Sequence, residues 1–394
     1  MKAQTLDSLL QLVVKNNPEL KALEKEYEAE LVKRHQIRRF NNPDIGVGVP
    51  ISRPETRLGP QVLLVNASHM FPWFGTYKAK EDVVIAMSKV KYDRIANIKL
   101  KLFYELKVAY YQLYNLEQRK KIISEYVDIY HSLENISLAK VESGESTIAD
   151  VLRIQLKLQG FEKDLKIIDN SKNSYIAQIN AYTNQDFSTQ ISPTDSFPEF
   201  APMNFNYENF TDKIKNNHPS ITKINKEIEV SKNNQIIHNN MKKPSFSIGV
   251  DYSMVDERSD IYPIDNGKDI LIPRMKINIP LYNKSHRSVN HEERINQSVL
   301  QYKKKDLINQ MVSSVIQNKV AYDNAYYEIM FNYQQIKTTE MAYHVLLTKY
   351  SSSGKGFTDL LQIQNQLLTF QLNILQGQLE SYLTRARIEQ VTGE

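Results

Sequence analysis

Two stretches 201 positions apart punctuate this chain in the same way, and that duplication limits its fold more than any other feature. Lys15-Asn-Asn-Pro-Glu-Leu20 is echoed by Asn216-Asn-His-Pro-Ser-Ile221, so that Pro18 stands over Pro219. The same offset sets Pro43 over Pro244, Gly48 over Gly249, Ile45 over Phe246 and Val47 over Ile248. Further on, Phe71-Pro72 matches Ile279-Pro280 at an offset of 208, and Asp150-Val-Leu-Arg-Ile-Gln155 matches Asp359-Leu-Leu-Gln-Ile-Gln364 at 209. The growing offset implies a longer loop in the second half. The sequence therefore predicts two tandem repeats, 1–190 and 207–394, joined by a linker over 191–206; the proline-rich stretch 187–206, with Pro193, Pro198 and Pro202, marks it.

Between these landmarks the chain is poorly punctuated. Twelve Gly and 14 Pro in 394 residues is about half the usual share, which favours long uninterrupted elements. Each half reads as helix, strand, strand, very long helix, turn, helix. The first half gives helix over 5–40, strands over 44–51 and 61–71, and helices over 76–142 and 146–186. The second gives helix over 208–241, strands over 245–254 and 270–281, and helices over 284–351 and 357–391. Apolar residues recur at spacings of three and four, as in Leu100, Phe103, Leu106, Tyr110, Leu113 and Leu116, and neither long helix contains proline. At 1.5 Å per residue the helix over 76–142 is roughly 100 Å long. The two shorter helices of each half, stacked end to end, reach ~115 Å and ~104 Å. A stacked pair thus matches one long helix, which predicts a wall of antiparallel helices with coiled-coil-like packing.

The strands carry a second signal. Phe246, Ile248, Val250, Tyr252 and Met254 alternate with Ser245, Ser247, Gly249, Asp251 and Ser253, and Met275, Ile277, Ile279 and Leu281 alternate with Arg274, Lys276 and Asn278. Ile45, Val47, Val49 and Ile51 repeat the pattern, whereas Val62 to Val65 is apolar on both faces. Strands of ~9 to 11 residues with apolar-out, polar-in alternation suit a transmembrane barrel, and equally a soluble sheet over a core. The longest apolar run, Val83 to Met87, falls far short of the ~18 residues of a transmembrane helix, so any membrane span must be β. Four strands cannot close a barrel when about eight is the smallest bacterial count, so closure requires several copies related by rotation.

Composition excludes other classes. The balance of 50 Lys plus Arg against 45 Asp plus Glu, net +5, is too small and too evenly spread for a nucleic-acid-binding protein. Absence of Cys excludes disulfides, a Cys nucleophile and Cys-ligated zinc. Met1-Lys-Ala-Gln does not open a signal peptide, since Asp7, Ser8 and Gln11 interrupt the apolar stretch, so no signal is expected within the chain. His286 and His291, five apart, and Met330 and Met341, eleven apart, lack metal-ligand spacing, and no HExxH motif, phosphate loop or nucleophile elbow occurs. Neither an enzyme nor a bound cofactor or metal is expected.

Taken together the layout resembles the TolC family of outer-membrane efflux ducts, over essentially the whole chain. The resemblance rests on the duplicated Asn-x-Pro-x-Ile/Leu helix starts and on the strand exit His69-Met-Phe-Pro-Trp-Phe-Gly75 with its partner Ile279-Pro-Leu-Tyr282. It rests also on the turns Ser143-Gly-Glu-Ser-Thr-Ile-Ala-Asp-Val-Leu152 and Ser353-Gly-Lys-Gly-Phe-Thr-Asp-Leu-Leu361. It implies an α+β membrane duct: a homotrimer whose four strands per chain build a transmembrane β-barrel of twelve in the outer membrane of a Gram-negative bacterium, continued by a long antiparallel α-helical barrel in the periplasm. The implied partners are outer-membrane lipid, a periplasmic adaptor and an inner-membrane pump. The implied function is passive export of what that pump delivers. Phe71-Pro-Trp-Phe-Gly75 is similar to the branch serving heavy-metal pumps of the resistance-nodulation-division type, although Ile279-Pro-Leu-Tyr-Asn283 lacks the Trp and Gly.

The turns are the candidate sites. Gly144 and Gly354, beside Ser143 and Ser353, break helices that would otherwise run on, as in an αα-hairpin; the resemblance makes these six tips of a trimer adaptor-docking points. Asp150 and Asp359 follow at the starts of the returning helices, where an acid also favours the helix dipole. By resemblance they line a closed aperture, with Lys355 as a basic latch. The family's second acid, three residues on, is replaced here by Arg153 and Gln362. The rival reading is a soluble coiled-coil scaffold or filament subunit, which would need no strands.

Overall fold

A computed structural model describes residues 5–37, 41–194, 207–281 and 284–394, the side chains of 284–286 excepted. The linker beyond 194, Tyr282 and the side chain of His286 thus lie outside the described residues. The order is α1 (Leu6–Asn16), α2 (Pro18–Ile37), β1 (Asp44–Gly48), β2 (Glu55–Thr56), β3 (Gly59–Phe71), α3 (Thr76–Glu142) and α4 (Ile148–Thr183). There follow α5 (Tyr207–Asn217), α6 (Pro219–Met241), β4 (Ser245–Val255), β5 (Ile270–Asn278), α7 (Lys284–Ser353) and α8 (Phe357–Thr392). Two compact units result, each drawing on both halves of the sequence. One comprises residues 1–23, 94–221 and 306–394; the other comprises 24–93 and 222–305.

The expected helices over 5–40 and 208–241 are each broken, at Asn17 and at His218. The cause is the proline that follows: Pro18 and Pro219 have no N–H to continue a helix but fit the first position of a new one. The long helices keep their expected extents almost to the residue. No helix of the described residues is long and apolar enough to cross a membrane.

In the second unit, β1, β3, β4 and β5 form one antiparallel sheet in that order, with β2 paired to the start of β3. Cross-strand partners share a face. The register stacks Ile45 on Ala67, Val47 on Val65, Val65 on Tyr252, His69 on Ile248, Ile248 on Met275 and Phe246 on Ile277, so one face is almost wholly apolar. The other carries Gly46 on Asn66, Asn66 on Asp251, Ser68 on Gly249, Gly249 on Arg274 and Ser247 on Lys276. The doubly apolar run in β3 has a local cause: the register shifts between Gln61 and Leu63, so Val62 is the extra residue of a bulge. Among the described residues most of this apolar face is uncovered. Ile45 is 70% exposed, Met275 85% and Ile277 59%.

The strand exit is knitted by aromatics: Trp73 and Phe74 both lie against Phe246, at 5.9 and 6.1 Å between ring centroids, and Lys243 sits 5.3 Å over the Trp73 ring. Below it Ala86, Val90 and Val230 form a small core, and the ion pairs Arg34–Glu81 (2.5 Å) and Lys91–Glu26 (2.7 Å) join α2 to α3.

The first unit is helical. Leu106, Tyr110 and Leu113 of the α3 repeat are fully buried, while Leu100, Phe103 and Leu116 are partly so. Leu106, Tyr110 and Leu113, with Phe103 against them, belong to a core with Leu9 and Val13 of α1 and Ile176 and Ile179 of α4. A second core joins Tyr126, Tyr130 and Leu133 of α3 to Ile154 and Phe161 of α4, Tyr350 of α7 and Leu360 and Leu367 of α8. The ends of α3 and α7 and the starts of α4 and α8 are thereby fixed on either side of their turns.

Candidate functional site: the paired helical turns

The turn from α3 to α4 closes when the N–H groups of Glu145 and Ser146 reach back to the Lys140 carbonyl at 2.8 and 3.1 Å, with Gly144 in the left-handed region (φ +76°). Lys140 also pairs with Glu145 at 2.5 Å. Ser143 donates to the Lys140 carbonyl at 3.1 Å and Ser353 to that of Lys349 at 2.8 Å, so both serines fold back onto the last turns of the helices they end. At the turn from α7 to α8, Gly354 (φ +66°) bonds to Tyr350. A Cβ at Gly354 would lie 2.4 Å from the Glu145 carbonyl oxygen. The two turns therefore abut, and no residue larger than Gly fits at their contact.

The expected aperture residues separate into two groups. Asp150 is mostly covered: Ser146 Oγ and Thr147 Oγ1 donate to it at 2.9 and 3.2 Å, and Arg153 lies 3.5 Å away. Arg153 also donates to Thr358 Oγ1 at 3.2 Å, linking the start of α4 to the start of α8. Asp359, Lys355 and Gln362 are exposed and have no hydrogen bond or ion pair to described residues of the chain, so Lys355 and Asp359 do not pair with one another. Thr358, Glu145 and Tyr350 were not legible as site residues. Thr358 lies beside Asp359 at the start of α8, but its role depends on a partner 205 residues away.

Behind the turns the polar contacts are buried. Ser137 Oγ and Tyr350 OH are 2.8 Å apart, and Tyr130 donates to Asn365 at 3.3 Å. Burial, with Tyr343 nearby, pushes the Tyr130 phenol up to about 12, so the group is a neutral donor at any physiological pH. Outside this core two apolar stripes stay exposed. Ile148, Leu152 and Leu156 follow at intervals of four on α4, beside a groove of about 500 Å³ bounded by Arg153, Gly160 and Leu361. On α7 the exposed residues include Ile316, Val320, Tyr327, Phe331, Met341 and Val345.

No protein-family model and no curated protein matches the sequence. Solved structures do match the fold. The outer-membrane channel OprN is 14% identical, with 98% of this chain and 89% of that one covered at a TM-score of 0.76. CusC, described in terms of transmembrane channel formation, is 12% identical, with 99% and 92% covered at 0.78. The outer membrane protein VceC of Vibrio cholerae is 14% identical, with 98% and 96% covered at 0.75. The chain thus has the α+β fold of these outer-membrane channels, the fold that the resemblance to the TolC family implies.

Proposed function

We propose that this protein is the outer-membrane channel of a tripartite efflux system, a passive, non-enzymatic duct for substrates that an inner-membrane pump delivers through a periplasmic adaptor. The observation that carries this reading is the sheet. Among the described residues its apolar face is mostly uncovered, its opposite face holds Asp251, Arg274 and Lys276, and its outer strands β1 and β5 each pair on one side only. Such a sheet is stable when lipid covers the apolar face and further strands close the edges. A soluble scaffold would have to leave that face in water.

On this reading the chain is a tandem repeat that assembles as a homotrimer, and the apolar stripes on α4 and α7 become contacts between copies. The sheet lies in the outer membrane of a Gram-negative bacterium and the helical unit in the periplasm. The turns at Gly144 and Gly354 dock the adaptor, and Asp359, with Asp150, Arg153, Lys355 and Gln362 around it, lines the aperture. Heavy-metal cations are the proposed cargo class, supported by the Phe71-Pro-Trp-Phe-Gly75 exit with its Trp73 packed on Phe246.

The test is fractionation followed by mass measurement in detergent. The protein is expected in outer membranes and, once solubilised, as a trimer. A stable detergent-free monomer with full β content would refute the reading. Deletion is expected to sensitise cells to heavy-metal salts; unchanged tolerance across such salts would remove the cargo assignment while leaving the channel.

A further inference from the structure

The two halves of the chain join their helices through one matched junction, and only the second copy of it is titratable. Asn17 and His218 are equivalent by the 201-residue offset, each standing immediately before the proline that opens the next helix. They are only 5% and 3% exposed. Asn17 Oδ1 accepts the N–H groups of Glu19 and Leu20 at 3.0 and 3.2 Å, capping α2, while its Nδ2 donates to the Tyr182 carbonyl at 2.9 Å, at the end of α4. His218 makes the same pair of contacts. Its Nδ1 accepts the N–H of Ser220 at 3.1 Å, capping α6, and its ring bonds the backbone of Gln390, near the end of α8. Tyr182 and Gln390 are 208 apart, again the repeat spacing.

A backbone N–H can only donate, so Nδ1 of His218 carries no proton and Nε2 carries the ring's one hydrogen, given to the Gln390 carbonyl. The neutral imidazole thereby copies the carboxamide, with one acceptor and one donor in the same places. A second proton ends the likeness: it goes on Nδ1, where it faces the Ser220 N–H, and two donors then oppose each other at a buried site. Asn17 has no such second state. Burial lowers the His218 pKa, and the Gln390 carbonyl works against that shift. The surrounding charges also resist a proton. Lys101 on α3 and Arg387 on α8 line the adjoining cavity of about 290 Å³, to which α7 contributes only Leu307, Gln310, Met311 and Ser314. No carboxylate lines it. The nearby acids are already engaged, Glu389 by Lys107 at 2.7 Å and Glu394 by Lys213 of α5, while on α6 Lys223 faces Glu227 at 3.5 Å.

We propose that the second-repeat junction is a proton-operated joint: uptake of a proton by His218 opens the cap of α6 and releases it from the end of α8, while Asn17 holds the first-repeat junction closed at every pH. This goes beyond the channel reading and does not depend on it. The sign follows from linkage. The unfolded ring takes up a proton near 6.5 and the folded ring resists it, so the unfolded state binds more protons in between. Stability is therefore unaffected well above that value, falls as pH drops through about 6.5 toward the lowered folded value, and stays diminished below it.

Hydrogen exchange on the full-length solubilised protein, corrected for intrinsic rates, tests the joint at about pH 7.5 and about pH 5. Acid is expected to cost the amides of residues 220–224 several-fold in protection while those of 19–23 keep theirs. His218→Asn, which installs the first-repeat residue, is expected to abolish the difference. An equal response of both segments to acid, or an unchanged response in His218→Asn, would overturn the proposal. Should that variant not fold, the comparison of the two segments within the wild-type chain decides the matter alone.

Discussion

Ser137 Oγ and Tyr350 OH, both wholly buried and 2.8 Å apart, tie α3 of the first half to α7 of the second one turn before Gly354. Neither hydroxyl has water to fall back on, so each satisfies the other. Tyr350 also packs on Phe357 across the turn, with ring centroids 5.3 Å apart. The bond thus fixes the end of α7 against α3 and, through Phe357, the start of α8.

Tyr350→Phe keeps the ring and removes the hydroxyl, leaving Ser137 unpaired at a buried site. An orphaned buried group costs about 1–3 kcal/mol. A lower melting temperature in detergent is expected, together with a higher basal conductance in planar bilayers, because the abutting turns lose an anchor. Ser137→Ala in the same background should recover part of the stability, since it removes the orphan. A double variant no more stable than Tyr350→Phe would show that the bond contributes nothing.

Gly377 of α8 lies close against α7: a Cβ there would lie 2.8 Å from Ile329 Cγ1 and 3.4 Å from the Ala325 carbonyl oxygen. Gly377→Leu should force the two helices apart and destabilise the protein by about 1–3 kcal/mol, the usual range for overpacking. Gly160, whose Cβ position meets nothing within 4 Å, is the control, and Gly160→Ala should be tolerated within the chain. Thermal melts of the two variants side by side check this, and equal melting temperatures would refute the packing argument.

Much of this architecture was legible because it rests on what the sequence lacks. Helices without proline over 76–142 and 284–351 could hardly end elsewhere than at Gly144 and Gly354, and they do end there. The strand faces followed from alternation, except in β3, where a bulge at Val62 adds one residue that no pattern of period two can reveal. The local pattern runs one helix across Asn17 and His218, although Pro18 and Pro219 break it there. The contacts that fix each junction, to the backbone of Tyr182 and of Gln390, come from more than 160 residues away and leave no local trace. The same holds at the turns. Arg153 was read as a replaced acid, and its bond to Thr358 depends on tertiary placement that local spacing does not encode.

The lipid-facing assignment of the sheet can be tested with a one-residue step. Ile248 lies on the apolar face opposite His69 and Met275, and Ser247 lies on the other face opposite Met70 and Lys276. Ile248→Arg would place a charge toward lipid at a cost of about 2–4 kcal/mol near the midplane, whereas Ser247→Arg joins a face that already holds Arg274 and Lys276. Heat-stable trimer on gels should fall for the first variant and persist for the second. Equal assembly of both would mean that the apolar face does not meet lipid.

Asp359 is exposed beside the turn and makes no ion pair with the described residues. Three-fold assembly would set three such carboxylates around one axis, and a ring of like charge in a narrow aqueous mouth attracts cations and favours their passage. Asp150 cannot substitute for it, being already occupied by Ser146, Thr147 and Arg153. Lys355 stands free to meet an acid of a neighbouring copy, but an exposed pair contributes only ~0–1 kcal/mol, so closure must rest mainly on packing such as that of Gly354 against Glu145. Asp359→Ala is therefore expected to lower cation preference in planar-bilayer recordings with little change in melting temperature, and Lys355→Ala to raise basal conductance modestly. If ion selectivity is the same in Asp359→Ala and wild type, Asp359 serves only the start of α8, and the ring it would form plays no part in permeation.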